Sequence, residues 1–291
     1  MIPIYKKEIR AYFTQMVGYA FLAFMLFLVG MMFTFNNIFP QSGRFGDTLM
    51  ASSTSFMFFI LVPILTMRLF SEETKHKTDQ LLFTSPLSVA QIVLGKYLAA
   101  FSLFMVGVGL TVLFPLSMVR HAVEGLPASQ IMGSYAGFIL IGACCIAVGM
   151  FVSVLTDNQI IAAVATFAVI WVMFVMDALA MTMPVSAGAS LFFVALVVLA
   201  VAGTWYYSTR HWLSSGILAV IGVAAAIGLY IYNNLIYDAI IVRVLLWFSL
   251  YTRFGVMSLG ILNLSDIVYY VSFTALFTYL TMNVIEKRRW R

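Results

Sequence analysis

The chain has 291 residues, of which 63% are hydrophobic and 9% are charged, with a formal net charge of +5. A soluble domain has roughly 45–50% apolar and about 25% charged residues, so this composition excludes a soluble globular protein of the same size. Because one membrane span needs about 20 apolar residues, the length fits about eight spans with their loops and leaves no room for a large soluble domain.

Charge-free apolar runs mark the predicted spans in chain order. Before the first run, residues 1–15 mix apolar and basic side chains, which predicts an interfacial helix on the cytoplasmic surface of the membrane. The break between the fourth and fifth runs is short, so these two spans are expected to form a tight hairpin. The predicted spans are Met16–Phe35, Ala51–Met67, Tyr97–Val119, Gly133–Leu155, Ile160–Met176, Ala189–Tyr207, Ser215–Leu235 and Ile267–Ile285.

The basic residues predict the orientation. With a cytoplasmic N-terminus, twelve of the 16 lysines and arginines fall on the cytoplasmic side, which is the bias expected of membrane proteins. The basic residues 287–289 then require an even number of spans. We therefore predict an all-α integral membrane protein, a polytopic helical bundle of about eight transmembrane spans, with N- and C-termini cytoplasmic. Six spans with a pair of re-entrant helices is the main alternative.

Residues 237–265 differ from the predicted spans around them. Charged residues such as Arg253 interrupt the apolar pattern here, and Asp266 follows directly. Charges at this spacing break a span but suit a helix that lies in the interface or dips back from outside. We predict an external re-entrant segment, with a plain external loop as the alternative.

The loop between the second and third predicted spans, residues 68–96, holds the densest charge. Ser71 followed by Glu72 and Glu73 predicts a helix start, because the helix dipole favours acidic residues in a first turn. Ser88 and Gln91 have the spacing of a capping box and predict the start of the next helix.

Between these two helix starts lie Leu81, Leu82 and Phe83. A short surface helix with an apolar tip suits docking into a groove on another protein. An ordinary solvated loop is the alternative on spacing alone.

The run from Arg68 to Lys96 contains Arg-Leu-Phe-Ser-Glu-Glu, Leu-Leu-Phe-Thr-Ser-Pro-Leu-Ser and Gln-Ile-Val-Leu-Gly-Lys. This run resembles the signature of ABC-2 type exporter permeases, closest to the branch with the gliding-motility and multicopper-enzyme-maturation permeases. Residues 251–254, residues 260–266 and the ending Glu-Lys-Arg-Arg-Trp add support. Two features depart from the family pattern. Lys77 stands where glycine is usual, and residues 189–235 look like a pair of spans added to six.

The resemblance implies that residues 1–291 form a single ABC-2 type transmembrane domain. In it, 1–15 is the interfacial helix, 68–96 the cytoplasmic coupling loop with its coupling helix in 71–88, and 237–265 the external re-entrant segment. It implies a multi-pass protein of the cell inner (plasma) membrane, in contact with lipid, that pairs with a second permease chain and a cytosolic ABC ATPase. The residues expected to dock onto the ATPase are Glu72, Glu73, Thr78, Asp79, Leu81, Leu82, Phe83, Thr84, Ser85 and Pro86.

The sequence has no Gly-x-x-x-x-Gly-Lys-[Ser/Thr] loop to hold ATP. We therefore expect no catalytic residue, metal site or cofactor in this chain, with ATP and Mg²⁺ bound by the partner ATPase. An intramembrane enzyme would need paired acids, a serine–histidine arrangement or metal ligands within the spans, and the pattern offers none. The net positive charge is explained by basic residues that concentrate on the cytoplasmic side of the membrane. It therefore predicts no nucleic-acid partner.

An ion-coupled secondary transporter or channel is the alternative function. Such carriers place ionisable groups near the middle of the membrane, and charges are almost absent from the middle of the predicted spans. Three charged residues near span ends are possible gating or substrate contacts, namely Asp177, Arg253 and Asp266.

Overall fold

The computed structural model describes residues 1–43, 45–50, 52–75, 77, 87–118 and 127–289. Every regular element in these ranges is helical, which confirms the all-α prediction. The helices are α1 (Ile2–Thr14), α2 (Val17–Phe33, continued by the π-helical turn Thr34–Ile38), α3 (Phe45–Met50), α4 (Ser52–Thr66), α5 (Ser71–Lys75), α6 (Val89–Thr111), α7 (Leu113–Met118), α8 (Ala128–Leu155), α9 (Gln159–Thr182), α10 (Ala187–Thr209), α11 (Trp212–Tyr232), a 3₁₀ turn (Asn234–Tyr237), α12 (Ile240–Phe248), α13 (Tyr251–Ser258) and α14 (Leu264–Arg289).

Within the described ranges, seven helices are long and apolar enough to cross a membrane, or eight if α12 and α13 count as one broken span. This confirms a multi-pass membrane protein. The second predicted span, Ala51–Met67, corresponds to α4 at Ser52–Thr66. The predicted re-entrant segment corresponds to α12 and α13, which are separated by a break at residues 249–250.

The fifth predicted span ends later than the sequence pattern suggested. We expected it to stop at Asp177, whereas α9 continues to Thr182. One carboxylate does not end a helix, and the first residue beyond it that disfavours helix is Pro184, which pushes its predecessor out of the helical region.

The chain divides into two compact units, and the first comprises Met1–Val172 and Leu250–Arg291. Its central helix is α8, which packs against α3, α4, α6, α13 and α14. Two glycines allow the closest approaches. A Cβ atom at Gly142 would overlap the Phe104 ring of α6, and one at Gly149 would overlap the Thr66 side chain of α4. Small residues at such crossings are typical of membrane helices, which pack by close contact rather than by exclusion of water.

The second unit is Met173–Ser249. In it α10 and α11 pair as a hairpin, connected by Arg210 and His211. The connection is flanked by exposed aromatic side chains, including Tyr207 and Trp212, as expected where a helix meets the membrane interface. This hairpin matches the sixth and seventh predicted spans, while the single-domain prediction for residues 1–291 stays a prediction.

Candidate functional site

A buried lysine lies in the first half of α6. The Ser88 hydroxyl caps this helix by accepting a hydrogen bond from the Gln91 backbone amide, and the Ser88 backbone amide donates one to the Gln91 side-chain oxygen, so the predicted capping box is confirmed. Two turns into the helix, the Lys96 side chain is only 2% exposed. A buried ammonium group is strongly unfavourable unless it is paired and hydrogen-bonded.

The partners of Lys96 come from distant parts of the chain. Its Nζ atom lies 2.9 Å from Glu8 Oε1 of α1 and 3.0 Å from Glu73 Oε1 of α5. It also donates a hydrogen bond of 2.6 Å to the Leu69 carbonyl. The Lys7 ammonium lies 3.4 Å from the same Glu73 oxygen but is 67% exposed. We call Lys7, Glu8, Glu73 and Lys96 the Lys96 cluster.

The cluster balances two ammonium groups against two carboxylates. Glu8 belongs to α1 and Glu73 to α5, the first helix of the predicted coupling loop, and both carboxylates contact the same side chain of α6. Lys96 also lies over the Phe70 ring, with its Nζ 5.1 Å from the ring centroid, an arrangement that attracts a cation to the ring face. The buried charge of Lys96 therefore connects α1, α5 and α6.

A second set of contacts connects the turn before α5 to α8. The Ser153 hydroxyl of α8 accepts hydrogen bonds from the Phe70 and Ser71 amides, at 3.2 and 3.3 Å. The same hydroxyl donates to the Met67 carbonyl at 3.3 Å. These bonds satisfy two amides at the start of α5 that have no helical partner, and so fix the turn that leads into it.

The end of α14 adds a weaker contact. Arg288 donates a hydrogen bond of 3.3 Å to the Thr74 hydroxyl of α5, and its guanidinium is 3.7 Å from the Asp157 carboxylate. Both charged side chains are partly exposed, so this ion pair contributes little to stability. It nevertheless places the last helix and the 156–158 turn beside α5.

The α1 helix is itself packed closely against the bundle. A Cβ atom at Gly95 of α6 would lie 3.2 Å from the Ile4 side chain. Tyr12 is buried and donates a hydrogen bond of 3.2 Å to the Leu65 carbonyl. Burial, together with the negative charge of Glu8, raises the pKa of the Tyr12 phenol well above its ordinary value. The helix that we predicted at the membrane interface thus has a buried face.

The predicted docking residues are only partly within the described ranges. Glu72 is half-buried on α5, and Glu73 belongs to the Lys96 cluster. The helix start predicted at Ser71 is confirmed. The remaining predicted docking residues lie outside the described residues, namely Thr78, Asp79, Leu81, Leu82, Phe83, Thr84, Ser85 and Pro86.

Two of the three predicted gating residues lie together. The Arg253 guanidinium of α13 is 3.1 Å from the Asp266 carboxylate of α14, which also accepts a hydrogen bond of 3.3 Å from the Asn263 amide. The same guanidinium lies over the Tyr269 ring, 4.0 Å from its centroid. The third residue, Asp177, is half-buried within α9 and belongs to the second unit.

Sequence reasoning missed Lys96 and Glu8 as site residues. It placed Lys96 at the start of the third span, whereas the helix begins at Val89 and buries this lysine. A single lysine that lies well inside an apolar helix was the available signal, because such a residue needs a partner. The partners themselves could not be identified, since Glu8 is 88 residues away in the sequence.

The long apolar helices in the described ranges are those of a multi-pass helical membrane protein. A family model described as ABC-2 family transporter protein matches residues 10–175. The chain belongs to this family, which supports a permease subunit of an ABC transporter and implies an ABC ATPase partner in general. Searches of curated proteins and of solved structures found no match. The likeness to the gliding-motility branch stays a prediction.

Proposed function

We propose that the chain is the permease subunit of an ATP-driven ABC exporter in the cell inner membrane, and that residues 71–88 dock onto a separate cytosolic ATPase. Family membership supports the transporter class. The observation that carries the docking proposal is the Lys96 cluster, since it joins the base of this segment to α1 and α6.

A docking segment transmits movement only if its base is stiffly connected to the spans. Removing one partner from a buried ion pair costs about 3–5 kcal/mol, so the base of α5 stays bound to α6 while the ATPase moves it. The Ser153 hydrogen bonds extend the connection to α8. A displacement of α5 by the ATPase is therefore transmitted to α1, α6 and α8.

The energy source in this proposal is the partner. The chain is not an enzyme, and ATP and Mg²⁺ are bound by the ATPase. Two permease chains, identical or related, form the pathway between them. Both termini are cytoplasmic, which places the Lys96 cluster and the Arg288 contact on the side of the ATPase.

Co-purification with the ATPase tests the docking. The double substitution Leu81→Asp/Leu82→Asp is expected to abolish association and leave membrane insertion intact, because two charges remove the apolar tip. A matched control is Leu259→Asp/Leu262→Asp, since both leucines are exposed in the loop between α13 and α14. If the first variant still binds the ATPase, or the control does not, the docking proposal is wrong.

Cysteine labelling tests the orientation. Both native cysteines are buried in α8, so they give little background. A membrane-impermeant maleimide is expected to label Gln41→Cys from outside intact cells and to leave Lys77→Cys unlabelled. The reverse pattern inverts the topology.

A further inference from the structure

A cleft of about 280 Å³ lies where α1 meets α2. Its lining includes Ala11 and Gln15 of the α1 side, Val17 at the start of α2, and Arg68 and Glu72 of the segment after α4. Because Val17 is the first residue of a membrane span, the cleft reaches the level at which lipid headgroups end and hydrocarbon begins.

Two opposite charges in this cleft, at Arg68 and Glu72, have no charged partner among the described residues. The Arg68 guanidinium donates a hydrogen bond of 3.0 Å to the neutral Gln15 amide, and no carboxylate within the described ranges forms an ion pair with it. Its Nε has no acceptor among the described residues. Glu72 likewise forms no ion pair in the part of the chain that the structure describes. A guanidinium has five N–H donors arranged for bidentate contact with a phosphate.

The other acids of the cleft are already neutralised. Glu8 and Glu73 are turned onto Lys96, at 2.9 and 3.0 Å. Lys7 lies 3.4 Å from the same Glu73 oxygen, so the two lysines balance these two acids. Among the described residues that line the cleft, the charges left for a ligand are therefore one cation, at Arg68, and one anion, at Glu72. This pair matches a ligand that itself carries both a phosphate and an ammonium group.

The cleft continues into an apolar surface on α2. Val17 and Phe24 are seven residues apart and so lie on the same line of the helix. Phe24 and Phe27, which is nearly one turn further along, are 37% and 64% exposed. A ligand that fills the charged cleft and covers this surface must be an amphiphile.

We propose that this cleft binds a zwitterionic phospholipid, with the headgroup phosphate on Arg68, the ammonium group beside Glu72 and the acyl chains along the exposed face of α2. The site does not depend on ATPase docking. It assigns Glu72, which was predicted to contact the ATPase, to the lipid instead.

Native mass spectrometry of the purified full-length chain tests the site. Delipidated protein is titrated with phosphatidylethanolamine or phosphatidylglycerol, and soluble phosphoethanolamine serves as competitor. Wild type is expected to prefer phosphatidylethanolamine, Arg68→Gln to bind both lipids about tenfold more weakly, and Glu72→Gln to lose the preference. The matched control is Arg10→Gln, an exposed arginine on α1 outside the cleft, which keeps wild-type binding.

Ala11→Trp provides a second variant that keeps every charge and fills the cleft, so a folding defect in Arg68→Gln does not end the test. It is expected to lower lipid occupancy as strongly as Arg68→Gln. Unchanged occupancy in both variants overturns the proposal. It is also overturned if phosphatidylglycerol binds more tightly, or if phosphoethanolamine at equal concentration displaces the lipid, since the ligand would then be a soluble zwitterion.

Discussion

Replacing Lys96 by methionine is expected to lower the free energy of unfolding by about 3–5 kcal/mol, because it leaves two carboxylates without their buried partner. The structure supports a value in this range. The Lys96 side chain is 2% exposed, and those of Glu8 and Glu73 are 14% and 13% exposed, so solvent screens the lost contacts only weakly. The substitution also removes the donor of the hydrogen bond that the Leu69 carbonyl accepts.

A companion variant separates charge from packing. If the cost arises from two uncompensated carboxylates, then Lys96→Met combined with Glu8→Gln and Glu73→Gln recovers most of the lost stability. The matched control is Lys7→Met. Its side chain is 67% exposed, so this substitution is expected to change the free energy by less than about 1 kcal/mol.

The assay is reversible unfolding in mixed micelles, followed by tryptophan fluorescence and compared between variants under one set of conditions. The reasoning is refuted if Lys96→Met is no less stable than Lys7→Met. It is also refuted if the triple variant is less stable than the single one, because the loss would then come from packing around the lysine stem.

Three further predictions concern other contacts. Gly142→Val is expected to cost about 1–3 kcal/mol by overpacking against Phe104, read as a loss of unfolding free energy that a Gly203→Val control, at a glycine in open surroundings, does not show. Arg253→Gln is expected to cost about 2 kcal/mol through the lost charge-assisted bond to Asp266, and equal stability to wild type in the same assay contradicts it. Burial raises the pKa of Tyr12, so its neutral phenol stabilises the fold below pH ~10. The stability difference between wild type and Tyr12→Phe is therefore expected to fall as pH rises above that value, and a constant difference contradicts the assignment.

Hydropathy predicts most of the spans because the requirement for uninterrupted apolar residues is local. The third and last spans were recognised in this way, and both helices extend beyond the charge-free runs, α6 by burying Lys96 and α14 by continuing through the basic residues to Arg289. The second span was recognised in the same way, predicted as Ala51–Met67 and described as Ser52–Thr66 in α4.

The site was less predictable, since it is built from long-range contacts. Ser71 and the Ser88 capping box follow from local rules and are confirmed. The convergence of Glu8, Glu73 and Lys96 depends on how α1 and α6 pack, and no spacing in the sequence encodes that. A polar residue such as Ser153, which satisfies two amides of a distant turn, carries no pattern by which it could be recognised.

Site-specific photo-crosslinking tests the central claim most directly. A photoreactive amino acid is placed at Leu82, within the proposed docking segment, or at Gln41, in the loop after α2, and the chain is co-expressed with the ATPase. The proposed docking predicts a crosslink to the ATPase from position 82 and none from position 41. A co-purifying ATPase that crosslinks from position 41 and not from position 82 would contradict it.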